Sequence, residues 1–247
     1  MKYNPGMRKR PRQVKAYNNN TFLNSREARN IRVQCEMTEP AIHLKRSGIR
    51  HMVTFFGSAR LGSESAFENS DYKAAYDMAR SLGEWTIRRP GSDGADTDIA
   101  ISSGGGPGIM EAVNRGAHDV GAKSIGMGIS LPFEQKNNQY VSPDLDFEFH
   151  YFFTRKYWCV YLSKAFVIMP GGVGTMDELF EIVTLMQTGK MKERPIVLFN
   201  SEFWNETINF ERMLKHGTIS QQDVDRLHIT NDVVDATNYI KRNITLD

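Results

Sequence analysis

The sequence of 247 residues has few cysteines and no long apolar run. Its two cysteines, Cys35 and Cys159, lie far apart and lack the spacing of a metal site, which favours a reducing environment. No apolar run approaches the roughly 18 residues of a transmembrane helix, and the charged N-terminus has no apolar segment typical of a secretory signal. We therefore expect a cytoplasmic protein that binds neither a membrane nor a metal.

Familiar nucleotide-binding fingerprints are also missing. The sequence has no G-x-x-x-x-G-K-[ST] motif, and its glycine-rich segment at 104–109 does not fit G-x-G-x-x-G in register. ATP hydrolysis on a P-loop therefore has no support. No internal repeat or low-complexity segment is evident, and the apolar share of 40% is ordinary for a globular protein with a sizeable core.

Positive charge is concentrated at the N-terminus. Seven basic residues precede the first acidic residue, Glu27; when these seven are subtracted from 31, 24 basic residues remain against 29 acidic ones. Three consecutive asparagines at 18–20 and the lack of apolar periodicity favour a solvated, disordered tail over residues 1–25. An arm that binds nucleic acid is the weaker alternative, and steep salt dependence would be its signature.

From about residue 48, strand-like apolar segments alternate with helical patterns. This alternation predicts an α/β fold: a Rossmann-like, doubly wound parallel sheet flanked by helices, in a single domain over 26–247. A helix or two with a break near Pro40 is expected before the sheet, and polar loops are expected at 88–98 and 131–143. The predicted strands are 51–56, 99–101, 124–129, 147–149, 165–169 and 195–199. The predicted helices are 72–85, 109–118, 154–163, one after 170–178, 203–214 and the last 30 residues.

Two glycine-rich segments follow predicted strands, at 103–108 and at 170–178. A strand that ends in a glycine loop and continues into a helix directs backbone N–H groups and the helix dipole at one point, which favours a phosphate. Two such loops in one sheet predict a nucleotide held between two strand ends. The alternative is that both segments are only tight strand-to-helix turns.

The second loop ends in Thr175-Met176-Asp177-Glu178, which has two interpretations. The spacing is that of a capping box, in which Thr175 caps the helix and Glu178 reaches back to a backbone N–H. The other interpretation places the Glu178 carboxylate one turn from a phosphate site, close to the sugar attached to that phosphate. Asp177 is expected to compensate the helix dipole.

Arg155 and Lys156 lie near the start of a predicted helix, where cations oppose the macrodipole, so a purely structural role is disfavoured. Arg155 cannot donate a proton in ordinary circumstances, and its expected work is to hold a phosphate or carboxylate. The aromatic residues around them predict core or a subunit interface, and one ring is left as a candidate contact for a purine. These residues are Tyr151, Phe152, Phe153, Tyr157, Trp158 and Tyr161.

Four motifs together resemble the LOG ("Lonely Guy") family of nucleoside 5′-monophosphate phosphoribohydrolases, long mislabelled lysine decarboxylases. They are F-G-S at 56–58, S-G-G-G-P-G-I-M-E-A at 103–112, T-R-K at 154–156 and P-G-G-x-G-T-x-x-E at 170–178. The similarity covers a motif-bearing core of about 50–215. It implies a Rossmann-like homodimer or larger assembly with active sites near the subunit interface. It also implies hydrolysis of an N-glycosidic bond to free base and ribose 5-phosphate, without a cofactor.

The resemblance assigns catalytic roles to Arg155 and Glu178. Substrate-binding residues are expected in the four motifs: Gly57, Ser58, Ser103, Gly104, Gly105, Gly106, Lys156, Gly171, Gly172, Gly174 and Thr175. Phe152 and Phe153 depart from the family, which has a methionine and often a histidine before T-R-K. The preferred base therefore stays open, with AMP and cytokinin riboside 5′-monophosphates as the candidates.

Two other functions remain as alternatives. A non-catalytic carrier of a nucleotide or cofactor would bind phosphate on the same scaffold and release no base. A pyridoxal-phosphate decarboxylase would need a Schiff-base lysine, for which Lys156 and Lys164 are available without a supporting sequence context.

Overall fold

Seven parallel strands form the sheet at the centre of the computed structural model, which describes residues 13–62, 70–89, 97–132 and 136–246. The strands are β1 (His51–Phe56), β2 (Ile99–Ser103), β3 (Ser124–Ile129), β4 (Asp146–Phe149), β5 (Ser163–Ile168), β6 (Ile196–Phe199) and β7 (Leu227–Thr230). Their order across the sheet is β4-β3-β2-β1-β5-β6-β7. The winding direction reverses between β1 and β5, and doubly wound sheets bind their ligands at such a reversal.

Helices connect the strands and cover both faces of the sheet. They are α1 (Asn20–Leu23), α2 (Arg29–Arg46), α3 (Ser70–Arg88), α4 (Ile109–His118), α5 (Phe152–Tyr161), α6 (Val173–Gln187), α7 (Ser201–Thr207), α8 (Phe210–Lys215), α9 (Gln221–Asp225) and α10 (Val233–Asn243). Short 3-10 helices span Ala16–Asn18 and Pro143–Leu145. No helix within the described ranges is long and apolar enough to span a bilayer.

The two faces of the sheet build two separate hydrophobic cores. Successive residues of β1 alternate between them. Val53 and Phe55 belong to the core beneath α3, α4 and α10, whereas Met52 and Phe56 belong to the core beneath α2, α5, α6 and α7. Strands β5 and β6 are buried along their whole length, which is why their sequences read as apolar runs. This arrangement confirms the predicted doubly wound α/β fold.

The C-terminal region differs from the prediction. The last 30 residues, predicted as helical, contain the edge strand β7, which pairs with β6. Only Leu227 of this strand is buried, so its sequence has no strong apolar pattern. The predicted helix 203–214 is divided into α7 and α8, because the Asn209 side chain caps α8 by accepting a hydrogen bond from the Arg212 N–H at 2.8 Å.

Parts of four predicted segments lie outside the described residues. These parts are 1–12 of the predicted tail, 90–96 of the predicted loop 88–98, 133–135 of the predicted loop 131–143, and residue 247 of the last 30 residues.

The rest of the predicted tail contains helical turns in place of a disordered chain. The side chain of Asn19 caps α1 by accepting a hydrogen bond from the Phe22 N–H at 3.1 Å. The Arg32 guanidinium in α2 donates to the carbonyl oxygens of Leu23 and Ser25 at 2.6 and 2.7 Å. These contacts attach residues 16–25 to the first long helix.

Helix α2 continues through Pro40, where a break was predicted. Proline has no N–H and therefore leaves the carbonyl four residues earlier, that of Glu36, without its helical donor. The Trp158 indole N–H of α5 donates to this carbonyl oxygen at 2.8 Å. A contact distant in sequence thus supplies the hydrogen bond that Pro40 removes, and it joins α2 to α5.

This contact predicts a coupling between Pro40 and Trp158. Trp158→Phe should destabilise the wild-type protein by about 1–3 kcal/mol, because the Glu36 carbonyl then has no donor. In a Pro40→Ala background the new N–H can serve that carbonyl, so the same substitution should cost about 1 kcal/mol less. Urea unfolding of the four proteins measures the coupling, and costs that are additive within about 0.3 kcal/mol would contradict the account.

Candidate active site

Three loops meet at the carboxyl ends of β1, β2 and β5. The Ser58 N–H donates to the Pro170 carbonyl oxygen at 3.0 Å, and the Ile109 N–H donates to the Ser58 carbonyl oxygen at 3.0 Å. The loop after β1 is therefore bonded to both glycine-rich loops. A Cβ atom at Gly57 would lie 2.5 Å from Ile109 Cγ2, so this close approach requires glycine. Gly57 and Ser58 thus join the loops, and their contact with substrate stays a prediction.

The N-terminus of α6 is open. Gly172 is the N-cap and has no side chain to accept hydrogen bonds, and the first turn contains no acidic residue. A Cβ atom at Gly172 or Gly174 would have no neighbour within 4 Å, and neither glycine has a positive φ. Neither packing nor backbone geometry within the described chain therefore requires these two glycines. The first-turn N–H groups and the helix dipole favour an anion at this end of the helix.

The capping-box interpretation of the second loop is wrong. Because α6 begins at Val173, Thr175 is the third helical residue and does not cap the helix. Its buried side chain packs against Gly171, where a Cβ atom would lie 2.2 Å from Thr175 Oγ1. The Glu178 carboxylate makes its hydrogen bond across to α5 and not back to the start of α6.

Arg155 and Glu178 form a buried ion pair between α5 and α6. Arg155 Nη1 lies 3.3 Å from Glu178 Oε1, and the two side chains are 10% and 12% exposed. Arg155 Nε donates to the carbonyl oxygen of Met127, within β3, at 2.6 Å. A Cβ atom at Gly104 would lie only 2.4 Å from Arg155 Nη2, so the guanidinium lies directly against the first glycine loop. The structure thus brings together the two residues that were predicted to be catalytic.

Burial raises the pKa of the Glu178 carboxyl to about 7, from an ordinary value of 4.5. The guanidinium of Arg155 and the ammonium of Lys156 oppose this effect, and the neighbouring Asp177 adds to it. Near neutral pH the carboxyl is thus divided between its two protonation states. Such a group can accept or release a proton at the pH of the cell.

Helix α5 is held by a residue that sequence reasoning missed. The Glu36 carboxylate accepts hydrogen bonds from the His150 and Tyr151 N–H groups at 2.9 and 3.3 Å, and from the Thr154 hydroxyl. A carboxylate at a helix N-terminus is electrostatically favourable, and here it takes the place of a side-chain cap. Thr154 directly precedes Arg155, so Glu36 helps to orient the helix that presents the guanidinium. No local sequence pattern around Glu36 indicates that its carboxylate binds the start of α5.

The Lys156 ammonium forms ion pairs with two carboxylates of α6. It lies 2.9 Å from Asp177 Oδ2 and 2.7 Å from Glu181 Oε2, both on α6. Burial lowers the pKa of Lys156, but the hydrogen bonds to these two carboxylates outweigh burial and the net pKa is raised. Asp177 therefore pairs with Lys156. A contact between Lys156 and substrate stays a prediction.

The first glycine loop is fixed by buried hydrogen bonds. Ser103 Oγ donates to Asn114 Oδ1 at 2.7 Å and accepts from the Gly105 N–H at 3.1 Å. The carbonyl oxygens of Gly105 and Gly106 accept from the Asn138 side chain at 2.9 and 3.1 Å. Ser103, Gly105 and Gly106 therefore have structural partners inside the protein, and their contact with substrate stays a prediction.

The aromatic cluster around Arg155 divides into buried and exposed rings. Trp158 is buried in the core, whereas four rings on α5 remain between 38% and 60% exposed. The exposed rings are those of Phe152, Phe153, Tyr157 and Tyr161. Three of the four border a groove of about 310 Å³ between α5 and α6, and Lys156 also lines it.

The raised pKa of Glu178 predicts that the stability of the folded protein depends on pH. Between about pH 5 and pH 8 the folded protein retains a proton that the unfolded chain has released, so wild-type stability should fall as the pH rises. Glutamine at position 178 cannot ionise. Glu178→Gln should therefore gain up to about 3 kcal/mol in free energy of unfolding, relative to wild type, across this range. Urea unfolding at the two pH values provides the measurement, and a difference that does not change with pH would contradict the raised pKa.

Comparison with known proteins matches this arrangement to one family. The model of a family described as "Possible lysine decarboxylase" matches residues 110–240, which include the Arg155–Glu178 pair and the second glycine loop. The cytokinin riboside 5′-monophosphate phosphoribohydrolase LOG3 of Arabidopsis thaliana is 28% identical over 181 residues, which cover 72% of this chain and 75% of the relative.

Solved structures have lower sequence similarity. The X-ray structure of TM1055, a structural genomics target, has a TM-score of 0.50 and 19% identity, and the match covers 78% of this chain and 99% of that one. The molybdenum cofactor binding protein from the phototrophic bacterium Rippkaea orientalis has a TM-score of 0.48 and 19% identity, over 77% and 94% of the two chains. The likeness to TM1055 supports the fold alone. Because the family model covers more than half of its residues, the chain belongs to the possible lysine decarboxylase family, the LOG family.

Proposed function

We propose that the protein hydrolyses the N-glycosidic bond of a nucleoside 5′-monophosphate, giving free base and ribose 5-phosphate. AMP and cytokinin riboside 5′-monophosphates are the candidate substrates. The observation that carries the proposal is the buried Arg155–Glu178 pair one helical turn from the open N-terminus of α6. The phosphoribohydrolase names of the relatives support this class of reaction at the level of the family.

The phosphate of the substrate would bind over the first turn of α6. The N–H groups there need acceptors, and Gly172 and Gly174 leave open space above them. Thr175 and Gly171 pack together behind this turn and support its shape. Binding the phosphate, which does not react, would place the sugar against the reacting carboxyl and reduce the entropy cost of reaching the transition state.

Glu178 would act on the sugar and on water. As the bond between C1′ and the base breaks, positive charge develops on the sugar, and a carboxylate stabilises it. The attacking water forms a bond to C1′ and gives a proton to Glu178, while the base leaves with the electron pair of the broken bond. The departing base then takes up a proton from solvent water, and Glu178 returns its proton to the solvent. Arg155 keeps its charge throughout, and its role would be to orient Glu178 and to balance the negative charge at the site.

The lysines do not favour decarboxylation through a Schiff base. That chemistry requires a neutral amine, whereas the pKa of Lys156 is raised by its partners on α6. Lys164 is the second residue of β5, near the amino end of this strand, whereas the glycine loops follow the carboxyl ends of the strands. The contacts of Arg155 and Glu178, in contrast, agree with hydrolysis.

We also propose that the protein is a homodimer whose interface covers the four exposed rings of α5. These rings lie on the helix that presents Arg155, so an interface there would bring a second copy close to the site. The resemblance to the LOG family implies an assembly with active sites near the subunit interface. We therefore choose a second copy of this chain as the partner.

Base release tests the proposed reaction directly. Adenine should appear from AMP but not from adenosine, because the phosphate supplies the positioning. Glu178→Gln should lower kcat by about 10²–10⁴-fold while the protein stays folded. Chromatography of the products measures both effects. Near-normal turnover by Glu178→Gln would contradict the catalytic assignment, and wild-type protein that binds AMP without releasing adenine would favour the carrier alternative.

Gly174→Ala should weaken the binding of AMP without lowering the stability of the protein. An alanine within α6 favours the helix by up to about 1 kcal/mol, and the structure offers its methyl group no steric conflict. The Cα–Cβ bond tilts toward the helix N-terminus, into the space proposed for the phosphate. We therefore expect an unchanged or higher Tm together with a KM for AMP raised at least about 10-fold, or about 1.4 kcal/mol. An unchanged KM would contradict the proposed phosphate position.

A further inference from the structure

Asn138, which belongs to none of the four motifs, is hydrogen-bonded to the first glycine loop. Its backbone N–H donates to the Gly105 carbonyl oxygen at 2.7 Å. Its side-chain amide lies within hydrogen-bond distance of three acceptors: the carbonyl oxygens of Gly105 and Gly106 at 2.9 and 3.1 Å, and Asn114 Oδ1 at 2.9 Å. Its own Oδ1 accepts from the Tyr140 N–H at 3.2 Å. A residue that itself lies in no helix or strand thus fastens the loop.

Asn114 extends this contact into the sheet. The side chain of this fully buried residue accepts from Ser103 Oγ at 2.7 Å, at the end of β2. Its amide donates to Ser124 Oγ at 2.9 Å and to the Ile125 carbonyl oxygen at 3.0 Å, at the start of β3. Buried polar networks whose members are satisfied in this way are rigid. The loop is therefore fixed relative to both strands.

Asn137 restricts the same loop sterically. Gly105 has a φ of +74°, and a Cβ atom there would lie 2.4 Å from Asn137 Oδ1. The Asn137 amide in turn donates to the Phe147 carbonyl oxygen at 3.0 Å in β4. The glycine loop therefore lies between Arg155 on one side and two consecutive asparagines on the other.

The loop is in turn the support of the Arg155 guanidinium, because Nη2 lies directly against Gly104. We propose that Asn138 is a positioning residue for the active site: it holds Gly104–Gly106 where the loop keeps Arg155 against Met127 and Glu178. Asn138 acts only through the loop and Arg155, without touching the substrate. Loss of its amide donors lets the loop move and frees the guanidinium.

The first test does not depend on catalysis. Asn138→Ala removes the side-chain bonds, and Asn138→Asp keeps the shape but cannot donate. Both should accelerate solvent exchange of the Arg155 Nε–H by about 10-fold or more, since this proton is held by the Met127 carbonyl. Nitrogen-15 NMR measures the exchange, and Arg155→Lys identifies the signal.

Gln187→Ala is the matched control, because it also removes a side-chain amide donor, to Asp223 Oδ2 at 2.9 Å, at the far end of α6. It should lower stability without changing exchange at Arg155. Equal exchange in wild type and both Asn138 variants would overturn the proposal, as would equal acceleration by Gln187→Ala.

The second test rests on the proposed function. Asn138→Ala should lower kcat for AMP by about 10- to 100-fold and change KM by less than about 3-fold. In an Arg155→Lys background the same substitution should cause no further loss, because its effect passes through Arg155. Losses that multiply in the double variant would overturn the proposal. If the wild-type protein releases no base, the proposed function fails, while the exchange experiment still decides the role of Asn138.

Discussion

The ion pair of Arg155 and Glu178 has only about a tenth of its side-chain surface exposed, and the surrounding structure compensates for that burial. Charges taken out of water are costly unless further hydrogen bonds satisfy them. The Met127 carbonyl supplies one such bond, and the missing side chain of Gly104 leaves room for the guanidinium. Glu36 fixes the start of the helix that presents Arg155. Residues from three separate parts of the chain therefore serve one pair of charges.

The proposed function depends on the pair together with the open end of α6. The helix presents unsatisfied N–H groups at its first turn and a carboxyl of raised pKa one turn later. Both features oppose stability in the unliganded protein, because Gly172 supplies no side-chain cap and burial opposes the ionised form of Glu178. Such losses are expected where activity and stability conflict. Under the proposed function, substrate binding and catalysis would therefore take place at the same helix end.

Much of the fold was predictable because burial on both faces leaves a strong local pattern. The predicted bounds of β1, β3 and α4 agree with the structure residue for residue. Two of the missed features depend on contacts between distant residues. Strand β7 is a half-exposed edge, and α2 passes through Pro40 because Trp158, more than 100 residues away, supplies the missing donor.

The site shows the same division between local and distant information. The glycine loops and the Arg155–Glu178 pair follow from motifs, whereas Glu36 and Asn138 become visible only when the chain is folded. The capping-box alternative failed because Gly172 starts α6 earlier than the local pattern suggested. The most direct test of the account is a carbon-13 NMR titration of the Glu178 carboxyl, with Glu178→Gln to assign the signal. The account predicts a midpoint near pH 7, and a midpoint at the ordinary value of 4.5 would contradict it.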